Sequence, residues 1–228
     1  MYDCIICARA NSKGIPGKNL KKLWGRSLVE LCVEKAKRSE EIRHIYVSTE
    51  DQKIALRAEL AGATRVIFRE KNLSYDHVRQ VEVVKHLLTK LYDKCEKLTK
   101  VCFLLQTTTP FITAVDIDQA AGYLRAQNAH QLLSLHSTKL NPTSLYLEED
   151  NKITPLHQNK RSKQRQIQPR VLEANGGIRM FNIEHLMEKG EFFDEEANIL
   201  GYEIPFERSL NLDEMADWYA AVKMTKGN

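Results

Sequence analysis

Long apolar runs are missing from this 228-residue chain, and nothing in it approaches the roughly 20 consecutive apolar residues that cross a bilayer as a helix. Charge of one sign is also scarce. The formal net charge is +4, from 34 basic and 30 acidic residues, too small and too dispersed to indicate a nucleic-acid or membrane partner. The opening MYDCIICARA has no basic start and too short an apolar run for a signal peptide. The five cysteines are odd in number and scattered, which argues for free thiols in a reducing, cytoplasmic setting. Cys4 and Cys7 form a C-x-x-C, but three positions apart on a strand they point to opposite faces. No second ligand pair accompanies them, so they are expected to be buried thiols. The phosphate-loop pattern G-x-x-x-x-G-K-[ST] is absent, as is G-x-G-x-x-G. What is present is ordinary for a globular protein: 43% hydrophobic and 28% charged residues, enough for one well-cored domain over 1–228.

Strand-like and helix-like segments alternate. Tyr2 to Ala8 is a short continuous apolar run, as expected of a strand covered on both faces. Helical spacing follows from Ser27, a plausible N-cap, to Arg38. HIYVSTED reads as a second strand, Gln52 to Ala61 as a helix closed by Gly62, and TRVIF as a third strand. The stripe Val78, Val81, Val84, Leu88, Leu91 and Cys95 predicts a helix over about 78–95. KVCFLLQ, a helix from Thr113 to Gln127, and QLLSLHS continue the pattern. Such alternation implies right-handed βαβ units, an α/β fold with a mainly parallel, doubly wound sheet. Between about 138 and 174 the pattern breaks into a polar, proline-bearing, basic excursion with one short strand signal near Leu145 to Leu147. The core resumes at NGGIRMFNI, followed by a short helix, a strand near Ile199 to Ile204 and a closing helix from about Asp213.

Ligands in doubly wound folds sit beyond the carboxyl ends of the strands. The segment ARANSKGIPGKN occupies that place after the first strand. It sets Arg9, Lys13 and Lys18 among small residues, with Gly14 and Gly17 letting the backbone fold closely round an anion. Three cations near one triphosphate, each charge-assisted bond contributing about 1.5–3 kcal/mol, make a credible grip; the bland alternative is a solvated basic loop.

ARANSKGIPGKN closely resembles the signature loop of the acylneuraminate cytidylyltransferase family, the CMP-sialic acid synthetases. The likeness continues in order through VSTED, LLQTTTPF, RQIQPRVLEANGGIRMF, GEFF and ERSLNLDE. It implies a Rossmann-like sheet of the nucleotide-diphospho-sugar transferase type, with the excursion used for homodimerisation. It also implies an enzyme that activates a nine-carbon 2-keto-3-deoxy sugar acid, sialic or legionaminic in type, with CTP, releasing pyrophosphate. Under that resemblance Arg9, Lys13 and Lys18 hold the triphosphate, while Asn19, Asp76 and the backbone near Ala8 contact the nucleotide. Gln106, Arg165, Asn175, Phe192 and Phe193 serve the sugar, the planar fork of Arg165 suiting its carboxylate and the two phenylalanines helping to line the partner subunit's pocket. Asp213 and Asn211 are the implied ligands of Mg²⁺, with Mn²⁺ as an alternative. Each also has a plainer reading: a loop hydrogen-bonder for Gln106, a solvated cation for Arg165, core for the Phe pair, and a helix N-cap for Asp213.

Departures from the family pattern cluster round sugar and metal. Asn211 replaces an aspartate, which removes one negative charge from the metal segment. Arg79 stands where a serine near the base is expected, which leaves the choice of cytosine open. Thr107 and Ile112 replace a proline and an arginine beside the sugar, and Glu173 and Ala174 differ before Asn175. Two alternatives therefore stand beside the main reading: activation of the eight-carbon acid Kdo, and a low-activity nucleotide-binding homologue acting as a partner protein.

Overall fold

A computed structural model describes residues 1–138, 140, 144–156, 170–194, 196 and 198–226. The elements run β1 (Tyr2–Cys7), β2 (Lys22–Leu23), β3 (Arg26–Ser27), α1 (Leu28–Arg38), β4 (Ile42–Thr49), α2 (Gln52–Ala61), β5 (Arg65–Phe68) and α3 (Gln80–Tyr92). They continue with β6 (Val101–Leu105), α4 (Ala114–Ala126), β7 (Leu132–Ser137), β8 (Tyr146–Glu149), β9 (Lys152–Pro155), β10 (Leu172–Asn182), α5 (Ile183–Lys189), β11 (Leu200–Glu203) and α6 (Met215–Lys226).

Among the described residues the main sheet has seven strands in the order β11-β7-β10-β6-β1-β4-β5. Only β10 runs antiparallel to its neighbours; the other pairings are parallel. Cys4 and Ile6 of β1 join α1, α2 and α4 in one core, whereas Ile5 joins α3 and α5 in the other. The sheet is therefore covered on both faces, as the continuous apolar run of β1 requires. Cys4 is buried in the first core and Cys7 packs against the second, so the C-x-x-C pair does face opposite ways. From β1 the chain moves outward to β4 and β5, then crosses to β6 on the other side of β1. That reversal creates a crevice at the carboxyl edge between β1 and β6.

Local chemistry sets the helix ends. Ser27 caps α1 through a capping box, its hydroxyl accepting from the Glu30 N–H while the Glu30 carboxylate accepts from Ser27 N–H at 2.8 Å. Thr113 and Asp116 repeat the device at α4. Helix α3 is shorter than its apolar stripe suggests: Val78 precedes it, and Cys95 lies beyond it with φ of 58°. The closing helix begins at Met215, and the Asp217 carboxylate, not Asp213, accepts the N–H groups of Asp213 (2.9 Å) and Glu214 (2.8 Å). Within the excursion, β8 and β9 form a separate two-stranded hairpin.

Candidate active site

The loop after β1 is held at several points. Ile15 is fully buried with Leu23, Leu28, Leu212, Trp218 and Ala221 in a third small core, so the loop is anchored by an apolar residue at its centre. A Cβ on Gly14 would stand 1.9 Å from the Asp213 carbonyl oxygen, an approach only glycine permits. Gly17, with φ of 62°, turns the chain into a short 3₁₀ segment, Lys18–Leu20. At the start of the loop, Ala10 N–H donates to Glu50 Oε1 at 2.7 Å, and the other Glu50 oxygen pairs with buried Arg69 at 3.0 Å.

Beside this loop opens a cleft of about 300 Å³, whose lining includes Arg9, Lys18, Asn19, Arg69, Tyr75, Asp76, Gln80, Gln106 and Thr107. Lys18 is nearly enclosed: its Nζ donates to the Leu212 carbonyl at 2.7 Å and lies 3.6 Å from Asp213 Oδ1. Burial lowers its pKa, and the Asp213 carboxylate pulls it part of the way back. Arg9 and Lys13 both close on Asp76, at 2.8 and 2.9 Å. The hydrogen bond from Lys13 and the charge of Arg9 hold the Asp76 carboxyl below its ordinary pKa. Lys13 is largely exposed at the mouth. Asn19 is buried, donating to the Arg9 carbonyl at 2.7 Å and accepting from the Thr107 hydroxyl at 2.6 Å. Thr107, one of the departures noted above, is thus the residue that orients Asn19. Ala8 packs into the core with its N–H donated to Ser48 O at 2.9 Å.

The sugar-side residues divide. Gln106 follows β6 and lines the cleft. Asn175 is 2% exposed, and its amide is committed to Ser134 (2.6 Å), Ser209 (3.1 Å) and Gly177 N–H (3.0 Å). It sits in the irregular part of β10, where the pairing with β7 shifts register between Ala174 and Arg179, and it pins that bulge. Phe192 packs edge-on against Phe181 with ring centroids 5.3 Å apart, and Phe193 lies beside Arg179. Arg165 lies outside the described residues. Ile112 is core, and Arg79 points to Glu191 at 2.5 Å and does not line the cleft.

Beside Lys18, Asn211 donates to Asp213 Oδ2 at 2.6 Å, while its own Oδ1 is buried with no hydrogen-bond partner among the described residues. Among the described residues no three His, Cys, Asp or Glu side chains form a metal-binding group. The sequence did not single out Arg69, Tyr75 or Arg179. Arg69 carries no motif, and Arg179 is one cation in an otherwise apolar strand segment, legible only once its neighbours are in place.

A doubly wound sheet whose switch point carries an anchored, glycine-shaped, cationic loop defines the class of protein here: a nucleotide-polyphosphate binder. Residues 4–203 match the cytidylyltransferase family, and the chain belongs to that family, whose members are nucleotidyltransferases. It is 26% identical over 199 residues to post-translational flagellin modification protein B of Campylobacter coli, covering 86% of this chain and 83% of the relative. To the CMP-N,N'-diacetyllegionaminic acid synthase of Campylobacter jejuni it is 24% identical over 196 residues, with the same coverage of 86% and 83%. Among solved structures, a CMP:2-keto-3-deoxy-manno-octonic acid synthetase complexed with CTP matches with a TM-score of 0.73 and 16% identity over 100% of both chains. That match speaks for the fold.

Proposed function

We propose that the protein transfers a cytidylyl group from CTP to a nine-carbon 2-keto-3-deoxy sugar acid of the sialic or legionaminic kind. The observation that carries this reading is the grouping of Arg9, Lys13 and Lys18 on one loop at the switch point of a cytidylyltransferase sheet. The synthase from Campylobacter jejuni, which the chain resembles over most of its length, supports the acceptor class. The anomeric hydroxyl attacks the α-phosphorus; a P–O bond forms, the bond to pyrophosphate breaks, and the hydroxyl proton passes to water. Most of the catalytic benefit in such a transfer comes from positioning and charge. Triphosphate oxygens replace the Asp76 carboxylate on Arg9 and Lys13, and Lys18 neutralises charge as pyrophosphate departs. Asn19, fixed by Thr107 and the Arg9 carbonyl, faces the nucleoside, and Gln106 faces the sugar. Asn175 supports that wall from behind.

A hard divalent ion, Mg²⁺ with Mn²⁺ as an alternative, fits the donors beside Lys18. The Asp213 carboxylate and the unpartnered Asn211 Oδ1 are oxygen ligands, and phosphate oxygens and water complete the shell of such an ion. Bound there, the ion would offset phosphate charge. With an amide in place of a carboxylate the site holds one negative charge fewer. Asn211→Asp is accordingly expected to lower the Mg²⁺ concentration needed for half-maximal activity, and superimposable titrations would remove Asn211 from the site.

The functional enzyme is proposed to be a homodimer. The β8–β9 hairpin exposes Tyr146, Leu147 and Ile153, and a hairpin without a core of its own is not stable alone. All five cysteines are free, which supports a reducing, cytoplasmic setting. Pyrophosphate release tests the main reading, with CTP, UTP, GTP or ATP against N-acetylneuraminic, legionaminic and 2-keto-3-deoxy-manno-octonic acids. Turnover with CTP and a nine-carbon acid is expected. Preference for the eight-carbon acid would move the assignment, and release with no pair would leave a nucleotide-binding homologue.

A further inference from the structure

Arg179 stands on β10 opposite Leu104 of β6 and Leu133 of β7. By strand alternation it shares a sheet face with Phe181, which belongs to the core beneath α3 and α5. Its guanidinium carbon lies 4.5 Å from the centre of the Phe192 ring and 5.4 Å from that of Phe193. Nη1 reaches Gln80 Oε1 at 3.4 Å, and Gln80 lines the cleft. Just past the end of β6, Gln106 lies two residues beyond Leu104 and lines the cleft.

The charge on this arginine has little to hold it. Its Nε is buried, with no hydrogen-bond partner among the described residues. Burial lowers its pKa, and no carboxylate among the described residues offsets that. The basic residues that line the cleft differ in this respect: Arg9 has Asp76 at 2.8 Å, Lys18 has Asp213 at 3.6 Å, and Arg69 has Glu50 at 3.0 Å. A cation taken from water without an opposite charge is costly, and two aromatic faces offset only part of the cost. A side chain held in that condition beside a ligand cleft is arranged for an anion that arrives with the ligand.

We propose that Arg179 recognises the carboxylate of the sugar acid, gripping it side-on through Nε, with Phe192 and Phe193 serving as its walls in their own subunit and not in the partner's. This inference rests on the acceptor class proposed above. Side-on pairing is geometrically suited to a planar carboxylate, and this fold uses it elsewhere: Arg43 Nε and Nη2 each lie 2.9 Å from an Asp3 oxygen, and Arg208 Nε and Nη2 lie 3.2 and 2.6 Å from those of Asp116. The triphosphate claims the cations of the opening loop, so the second substrate's charge falls to cations outside it: Arg165 by the resemblance, and Arg179 among the described residues. Arg179 lies on the Gln106 side of the crevice, where the acceptor belongs. The Phe192 and Phe193 rings keep water from the pair and thereby strengthen it.

The test is steady-state pyrophosphate release by wild type, Arg179→Met and Arg179→Lys, with the sugar acid and with its carboxamide as acceptors. Arg179→Met is expected to raise KM for the acid roughly 10- to 100-fold, the effect of losing a charge-assisted pair, with KM for CTP changed less than about twofold. Arg179→Lys keeps the charge but loses the fork, and should recover only part of the loss. Wild type should prefer acid over carboxamide, and Arg179→Met should use the two alike. Thermal stabilisation of both variants by CTP reports that they are folded. An unchanged KM for the acid in Arg179→Met, or an equal penalty on acid and carboxamide, would overturn the proposal. So would equal use of acid and carboxamide by the wild type, a result that needs no variant. Failure of the acceptor-class reading looks different: the wild type then releases pyrophosphate with no sugar acid, and this inference falls with it.

Discussion

Lys18 shows what one side chain gains from its setting. A lysine in a basic loop is usually solvated, yet here the side chain is 12% exposed, bonded to Leu212 O across 194 positions of sequence and paired with Asp213. The sequence supplied the residue and its place after a strand; the enclosure came from the segment before α6 folding over the loop. Because burial lowers its pKa, its charge is lost at a lower pH than the ordinary lysine value of about 10.4. CTP affinity should therefore fall on the alkaline side before exposed lysines titrate. Lys18→Arg, which stays charged, should move that limb upward. Lys18→Met should lower kcat/KM for CTP about 10- to 100-fold at neutral pH, the equivalent of about 1.5–3 kcal/mol. A neutral-pH kcat/KM within twofold of wild type would show that the ammonium does not touch the triphosphate.

At the scale of elements, the ends of α1, α2 and α4 were legible because Ser27, Gly62 and Thr113 are capping residues beside strong apolar periodicity. The ends of α3 were not, since Val78 turns towards the cleft and Cys95 passes into a left-handed turn, both continuing the apolar stripe by coincidence. The bulge in β10 was also illegible: it depends on Asn175 meeting Ser134 and Ser209, which lie 41 and 34 positions away. The amino edge of the sheet is tied by Asp3, which accepts two bonds from Arg43 at 2.9 Å and the Thr99 N–H at 2.7 Å. Burial alone would raise its pKa, and these partners reverse the shift and lower it. A carboxyl with a depressed folded-state pKa adds stability that is complete above its unfolded value, about 3.9, and is lost as pH falls through the folded one. Asp3→Asn should cost about 2 kcal/mol at pH 7 and flatten the acid limb of a pH–stability curve. Parallel acid limbs for the two proteins would show that this group does not govern acid unfolding.

For the whole molecule, the order of strands makes the site. Its components come from the end of β1 and the loop after it, the segment from β5 into α3 and the residues just past β6, and only the crossing from β5 to β6 gathers them at one edge. The hairpin of the excursion carries an exposed apolar set that nothing in one copy covers among the described residues, with Ile153 67% and Leu147 50% exposed. A second copy is the proposed cover. Leu147→Asp combined with Ile153→Asp should halve the mass measured by light scattering and leave the monomer folded. A wild type that scatters as a monomer would dispose of the idea.

The sequence by itself determined the alternation of elements, the sites of capping and the cationic loop after the first strand. Those depend on neighbours within a few residues, through periodicity, hydrogen bonding of short polar side chains and the freedom of glycine. It also carried the motifs by which the family is recognised. Only the tertiary structure decided that Ile15 anchors the loop, that the Asn175 amide meets Ser134, Ser209 and Gly177, that Arg79 turns to Glu191 and that Arg179 has no counter-charge among the described residues. Each of those is a relation between side chains brought together from distant strands, and burial and pairing, which set their energies, do not exist until the sheet has assembled.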